Sequence, residues 1–210
     1  MTDIKEIFSY LVSKDEKLKK ILELKSFCPI LAEPKLSNNF LFTQIARSIV
    51  GQQLSNIVAK RIWERMTKDA KSPRAFVDKF KSIKLSEAKK FGLSLQKLSY
   101  IKEIAKNIHN RKISLSRLAK LEDNEVREKI TELKGVGEWT ADMFLIFSLK
   151  RKDIFSSKDS GLRRAISLLY KIDKANEKKF LSITSKWSPY RSIVCWYLWK
   201  ALDRRGKELS

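Results

Sequence analysis

Cysteine, histidine, glycine and proline are scarce in this 210-residue chain, and each scarcity closes off a class of protein. The two cysteines, Cys28 and Cys195, have no neighbours at metal-ligand spacing, which argues against zinc and iron–sulfur centres; two buried thiols are expected, with a disulfide the less favoured alternative. The single histidine, His109, sits late in a polar helical segment, where exposure is expected and no acid–base role is warranted. Six glycines and four prolines are too few for a loop-rich all-β fold or a flexible linker. No apolar run approaches the ~20 residues of a membrane span. The first residues, MTDIKEIFSYLVSKDEKLKK, mix charge with apolar positions and lack the apolar core of a signal peptide. An intracellular protein is expected, in cytoplasm and nucleoid or in a nucleus.

Acids are also in short supply. Against 45 Lys and Arg stand 24 Asp and Glu, a formal charge of +21, which points first to a polyanionic partner and above all to nucleic acid. No long basic amphipathic stretch with an apolar face favours a membrane surface instead. Apolar residues make up 43% of the chain, enough for a packed core.

What is present is helical periodicity. Phe42, Ile45 and Ile49, and then Leu54, Val58 and Ile62 with Trp63 beside it, recur at steps of three and four within each run, and comparable patterns predict helices at 3–11, 14–24, 38–50, 54–68, 73–79, 86–91, 95–109, 115–119, 123–133, 138–149, 160–170, 175–183 and 189–203. Strand-like alternation is missing. The expectation is an all-α fold with two helical lobes and a cleft between them, lobe A from 1–40 plus 155–210 and lobe B from 41–154.

The segment LKGVGEWTA, residues 133–141, breaks this pattern in an informative way. Val126, Ile130 and Leu133 form one helical stripe; Trp139, Met143 and Phe147 begin another. Between them Gly135-Val136-Gly137 permits positive φ and leaves no side chain at the turn. The second helix then starts with N–H groups that have no acceptor inside it, at the positive end of its dipole, a ready site for phosphate. Twenty residues past Trp139 comes Asp159, just ahead of Leu162, Ala165, Ile166 and Leu169. From the pattern alone it is a helix N-cap or a catalytic carboxylate, and the two roles are compatible, since the helix terminus favours the anion.

These segments resemble a known family. LKGVGEWTADMFL followed by FSSKDSG is similar to the helix-hairpin-helix–Gly/Pro–Asp (HhH-GPD) DNA glycosylases. FTQIARSIVGQQLS (42–55), GLSLQKLSYIKEIA (92–105) and WSPYRSIVCWYLW (187–199) resemble its 3-methyladenine DNA glycosylase II branch, of AlkA and Mag type. The likeness runs from about residue 40 to 203; the first 35 residues carry no family motif, and the chain has no room for the N-terminal β-rich domain of longer members. The resemblance implies a monomeric enzyme that flips alkylated purines of the 3-methyladenine and 7-methylguanine type out of double-stranded DNA and hydrolyses the base–sugar bond in base excision repair. Other lesions (hypoxanthine, ethenoadenine, oxidised purine) and a catalytically silent DNA-binding protein are the alternatives.

Residue by residue, the resemblance implies Asp159 as the catalytic acid residue in its ionised form. Trp139 stands where bifunctional relatives carry a Schiff-base lysine, which implies water as the nucleophile and no strand cleavage. Trp139, Met143, Trp187, Ser160 and Gly161 are implied base-pocket residues, Met143 and Gly161 making the pocket roomier or less aromatic than in relatives. Tyr190, Trp196, Tyr197 and Trp199 are read as core or lobe-contact aromatics. Gln53, or Leu54 if the register differs by one, is the implied wedge that fills the vacated stack, with Ser55 at the minor groove or capping a helix. The hairpin residues Lys134, Gly135, Val136, Gly137 and Thr140 are implied DNA contacts. Lys60, Arg61, Lys97, Lys102, Lys134 and Lys150 are a group from which further phosphate contacts are drawn. No cofactor is needed for the chemistry. A structural monovalent or divalent cation on the main-chain carbonyls of Thr131, Leu133 and Gly135 is implied by relatives, and no iron–sulfur cluster is expected.

Overall fold

The structure, a computed structural model, describes residues 4–24, 26–173 and 175–203. Position 3, the expected start of the first helix, lies outside the described residues. The helices in chain order are α1 (Ile4–Lys14), α2 (Lys19–Leu22), α3 (Asn38–Gly51), α4 (Asn56–Thr67), α5 (Pro73–Ser82), α6 (Ala88–Phe91), α7 (Leu95–His109), α8 (Leu115–Leu118), α9 (Asp123–Thr131), α10 (Glu138–Met143), α11 (Ser160–Tyr170), α12 (Glu177–Ser185) and α13 (Arg191–Asp203). No strand occurs among the described residues, and no helix there is long and apolar enough to cross a membrane. The all-α expectation holds.

Short polar side chains set most of the helix starts. Ser37, Ser55, Ser72, Ser94 and Ser114 each accept from the backbone N–H three residues on and open α3, α4, α5, α7 and α8. Asp159 does the same for α11 and Asn176 for α12. An N-cap of this kind satisfies one of the orphan donors of the first turn and is worth about 1 kcal/mol. Two sequence expectations shift for local reasons. Asp15 accepts from the Lys17 N–H and tightens 16–18 into a 3-10 turn, so the helix expected over 14–24 shrinks to α2. Past Met143 the hairpin's second helix runs on as a π-helical turn, Phe144–Ser148, with Leu149 N–H bonded to the Phe144 carbonyl at 3.0 Å.

The chain divides into two compact units, Met1–Glu33 with Lys150–Ser210, and Pro34–Leu149. In the second unit α5 packs on α7 and α3. Phe42, Phe76 and Phe80 are fully buried there, with ring centroids 5.6 and 4.4 Å apart in successive pairs, among Ile45, Ile49, Leu98 and Ile101. In the first unit α13 is buried over most of its circumference and packs on α11 and α2. Cys28 and Cys195 are both buried in this unit and are not joined in a disulfide. Burial pushes the Cys28 thiol up to about 11, so at neutral pH it is a packed thiol and not a nucleophile.

The start of α13 is tied to the preceding loop by one carboxylate. Asp153 accepts from Arg191 Nε at 2.7 Å, from Arg191 Nη2 at 3.0 Å and from the Ser188 hydroxyl at 2.8 Å. Burial alone would raise its pKa; the Arg191 and Ser188 bonds outweigh burial and hold the carboxyl below the usual carboxylate value. A folded pKa below the unfolded one contributes stability above the unfolded value, and that contribution is lost as pH falls through the folded one. Asp153→Asn should therefore be less stable than wild type at pH 7, with the gap narrowing below about pH 4. Thermal unfolding at pH 7 and pH 3 checks this; a gap that is the same at both would contradict it.

Candidate active site

Asp159 is only 9% exposed. Its backbone places it at the end of a tight turn, where its own N–H bonds the Ser156 carbonyl at 3.1 Å. Its side chain then caps α11: Oδ1 accepts from the Leu162 N–H at 2.7 Å. A second donor reaches the same oxygen from α13, the Trp199 indole Nε1–H at 3.0 Å. Gly161 lies against this pair, and a Cβ built there would fall 3.1 Å from Asp159 Oδ1 and 3.5 Å from Trp199 Cδ1. Capping was legible in the sequence; the indole bond was not, and Trp199, read as a packing aromatic, is a polar partner of the acid. Ser160 follows Asp159 and is exposed.

Trp187 is fully buried in the same unit. Its ring lies 6.3 Å from Phe155 and 6.4 Å from Tyr170, and its Nε1–H points at Asp15 Oδ2 at 3.4 Å. Tyr170 donates to the same Asp15 oxygen at 2.5 Å. The expected stacking face of Trp187 is therefore covered by core, and the ring serves to pack α11 and the N-terminal segment. Tyr197 is likewise core, its ring edge-on to Phe8 and Trp196.

In the other unit the hairpin is built by α9, the turn 132–137 and α10. Arg127 on α9 clamps the buried carboxylate of Asp142 on α10, with Nε at 3.2 Å and Nη2 at 3.0 Å from Oδ1. Removing one member of such a pair leaves a buried charge less well matched. Arg127→Met, which keeps the aliphatic stem, should cost about 2 kcal/mol. Denaturant unfolding checks this, and a loss under ~0.5 kcal/mol would mean that the clamp contributes as little as an exposed pair.

The two glycines of the turn differ. Gly135 has φ +82, and its Cα lies under the Tyr100 ring of α7, so a Cβ would fall 2.2 Å from Tyr100 Cδ2. Gly137 has an ordinary extended conformation, φ −91 and ψ 178, and a Cβ there would meet nothing within 4 Å. Only Gly135 needs left-handed backbone; Gly137 instead keeps the start of α10 open. Val136 is buried and its N–H closes the turn on the Leu133 carbonyl at 3.0 Å. Thr140 is 1% exposed, and its hydroxyl accepts from Gln52 at 2.9 Å. Of these residues, Val136 and Thr140 offer DNA only main chain. Lys134 is exposed and pairs with Glu103 at 3.4 Å.

Gln52 is the residue that the sequence reading missed here. Its amide nitrogen donates to both the Gly135 carbonyl and the Thr140 hydroxyl, each at 2.9 Å, and so ties the end of α3 to the hairpin. The next residue, Gln53, is exposed with φ +57, a left-handed conformation that turns the chain out before Ser55 caps α4. Leu54 beside it is also exposed. Lys97, grouped above with phosphate contacts, is committed elsewhere: its ammonium donates to the carbonyls of Val50 at 3.1 Å and Gln52 at 2.6 Å. Burial lowers its pKa, and it acts as the C-terminal cap of α3. Lys150 is likewise half-buried with its pKa lowered by burial, and Lys60 pairs with Glu64 on the surface.

Two of the carbonyls expected to hold a cation already accept one hydrogen bond each, Leu133 from Val136 and Gly135 from Gln52. A carbonyl has a second lone pair, so the donor set still fits a cation. No cluster of three or more His, Cys, Asp or Glu suited to a metal occurs among the described residues.

The glycine hairpin is thus clamped by an Arg–Asp pair and followed in the chain by an aspartate held at a helix start. Residues 46–189 match the HhH-GPD superfamily of base excision DNA repair proteins, and the chain belongs to that superfamily. It is 28% identical over 164 residues to DNA-3-methyladenine glycosylase 1 of Schizosaccharomyces pombe, across 76% of this chain and 71% of that protein. The fold is similar to that of a DNA-3-methyladenine glycosidase from Bacillus halodurans, at 30% identity and a TM-score of 0.69 over 93% of this chain and 88% of the other. It is also similar to the S. pombe 3-methyladenine DNA glycosylase Mag1 in complex with abasic DNA, at 25% identity and a TM-score of 0.76 over 94% and 97% of the two chains.

Proposed function

We propose that this chain is a monofunctional, monomeric DNA glycosylase that removes 3-methyladenine- and 7-methylguanine-type bases from duplex DNA by hydrolysis. The observation that carries the reading is Asp159, a buried carboxylate held on one oxygen by a helix-start N–H and an indole N–H. An acid fixed in this way suits a reaction that builds positive charge on a sugar. As the base–sugar bond breaks, its electron pair leaves with the base. A purine alkylated at N3 or N7 is already cationic and departs neutral. The anion at 159 stabilises the oxocarbenium-like deoxyribose more than the neutral ground state. Water then bonds to the anomeric carbon and releases a proton, with Asp159 positioning it.

The remaining roles follow from chemistry and placement. Family likeness assigns Trp139 and Met143 on α10, and separately Ser160 and Gly161 on α11, to base recognition, and an aromatic face such as that of Trp139 attracts an electron-poor ring by stacking and cation–π forces of roughly 0.5–2 kcal/mol. Gln53, displayed at its left-handed turn, enters the stack in place of the flipped nucleotide, with Leu54 and Ser55 beside it. Lys134 and the main chain of 135–140 grip phosphate at the start of α10. A cation held by the carbonyls of Thr131, Leu133 and Gly135 would support that grip and take no part in bond cleavage.

Position 139 supplies an indole where an amine nucleophile would be needed for a Schiff base, so the product strand should stay intact until alkali is added. Gel analysis of a methylated duplex tests this. Cleavage only after hot alkali, with no borohydride-trapped adduct, is expected; scission without alkali or a trapped covalent complex would overturn the monofunctional reading.

A further inference from the structure

We infer that Trp199 is a positioning residue for the reaction: its indole N–H holds the plane of the Asp159 carboxylate, and the missing side chain of Gly161 leaves that bond uncrowded. The inference rests on the glycosylase reading above and adds to it a residue forty positions along the chain from the acid. Three observations support it. Two donors to Asp159, the Leu162 N–H at 2.7 Å and Trp199 Nε1–H at 3.0 Å, take the same oxygen, Oδ1. A helix cap alone leaves a carboxylate able to rotate about the bond to its carboxyl carbon. A second donor on that oxygen, coming from a different helix, restricts that rotation. Gly161 is the second observation. A Cβ there would sit 3.1 Å from Oδ1, 3.5 Å from Trp199 Cδ1 and 3.6 Å from Trp199 Nε1, against both members of the bond. The third is support from behind: α13 and α11 pack together, and the residues beside Trp199 on α13, Tyr197 and Leu198, are buried. The indole is thus mounted on the core of its unit and not on a loop.

How much a charge stabilises a developing cation depends on how close and how firmly it is held, so loosening the carboxylate should slow the bond-breaking step while leaving DNA affinity alone. Trp199→Phe keeps a ring and removes the N–H. Gly161→Ala is a change a helix otherwise favours, and it crowds the bond while leaving both partner residues in place. Single-turnover base release from methylated duplex is measured for both variants, alone and combined with Asp159→Asn, with DNA affinity and melting temperature alongside. Trp199→Phe is expected to release base roughly 10-fold more slowly, from the loss of one hydrogen bond to a charged group, and Gly161→Ala, which crowds that bond, to slow release by a smaller factor. DNA affinity should stay within about 2-fold, and neither change should slow release further in the Asp159→Asn background. A purely structural role would instead lower melting temperature and rate together and would add to Asp159→Asn. Wild-type rates in both variants, or additive losses, would overturn the inference and leave the glycosylase reading standing. No release by wild type, or equal release by wild type and Asp159→Asn, would overturn both.

Discussion

Asp159→Asn should fold, bind DNA and release alkylated base at least 100-fold more slowly than wild type. The substitution is close to a pure charge deletion. An asparagine amide oxygen can accept from the Leu162 N–H and from the Trp199 indole as Asp159 Oδ1 does, and Asn caps a helix about as well as Asp. Melting temperature should therefore move by no more than a few degrees. What is lost is the negative charge that answers the positive charge on the sugar. Removal of one preorganised electrostatic contact of this kind typically costs 10²- to 10³-fold in rate, or about 3–4 kcal/mol. A variant that unfolds would show that the charge is needed for capping; one that folds and retains full activity would remove Asp159 from the mechanism.

The second large effect separates the two glycines of the hairpin. Gly135→Ala must place a methyl group 2.2 Å from Tyr100 Cδ2 and 2.7 Å from Cγ, in a backbone with φ +82. Left-handed backbone for a non-glycine residue costs of order 1 kcal/mol, and either the ring or the turn must also move. A loss of about 2–3 kcal/mol in stability is expected. Moving the turn also breaks the bond from Gln52 to the Gly135 carbonyl, so DNA affinity should fall at least 10-fold even where the protein remains folded. Gly137→Ala should behave in the opposite way. Its backbone is ordinary and its Cβ would meet no protein atom within 4 Å, so stability should fall by no more than about 1 kcal/mol, the difference between Gly and Ala as an N-cap. The methyl would nevertheless stand at the start of α10, in the way of a phosphate. Calorimetry and DNA titration of both variants check the contrast; Gly135→Ala binding normally, or Gly137→Ala unfolding, would contradict it.

These results bear on what a sequence can disclose. The helices were legible because period and caps agree: a serine precedes the apolar stripes of α3, α4, α5, α7 and α8, and each caps its helix. The Gly-Val-Gly turn and the aspartate were legible because each is a local signal, readable within four or five residues. The rest lies between segments distant in the chain. Tyr100 covers Gly135, Gln52 binds Thr140, and Trp199 reaches Asp159, and no periodicity links such pairs. Trp199 looked like packing because an indole in an apolar helix usually is packing. Lys97 looked like a phosphate contact because nothing local shows that a lysine 45 residues away caps α3 through the Gln52 carbonyl. Trp187 was assigned to the pocket by family likeness alone, and the packing around it in its unit encloses it.

The central claim is that this protein frees a base from DNA and leaves the strand whole. Chromatography of the small molecules released from a methylated duplex by excess enzyme measures it directly. Free 3-methyladenine and 7-methylguanine, appearing far above the uncatalysed rate and absent with Asp159→Asn, is the expected result. DNA that is bound tightly yet yields no free base above background would contradict it.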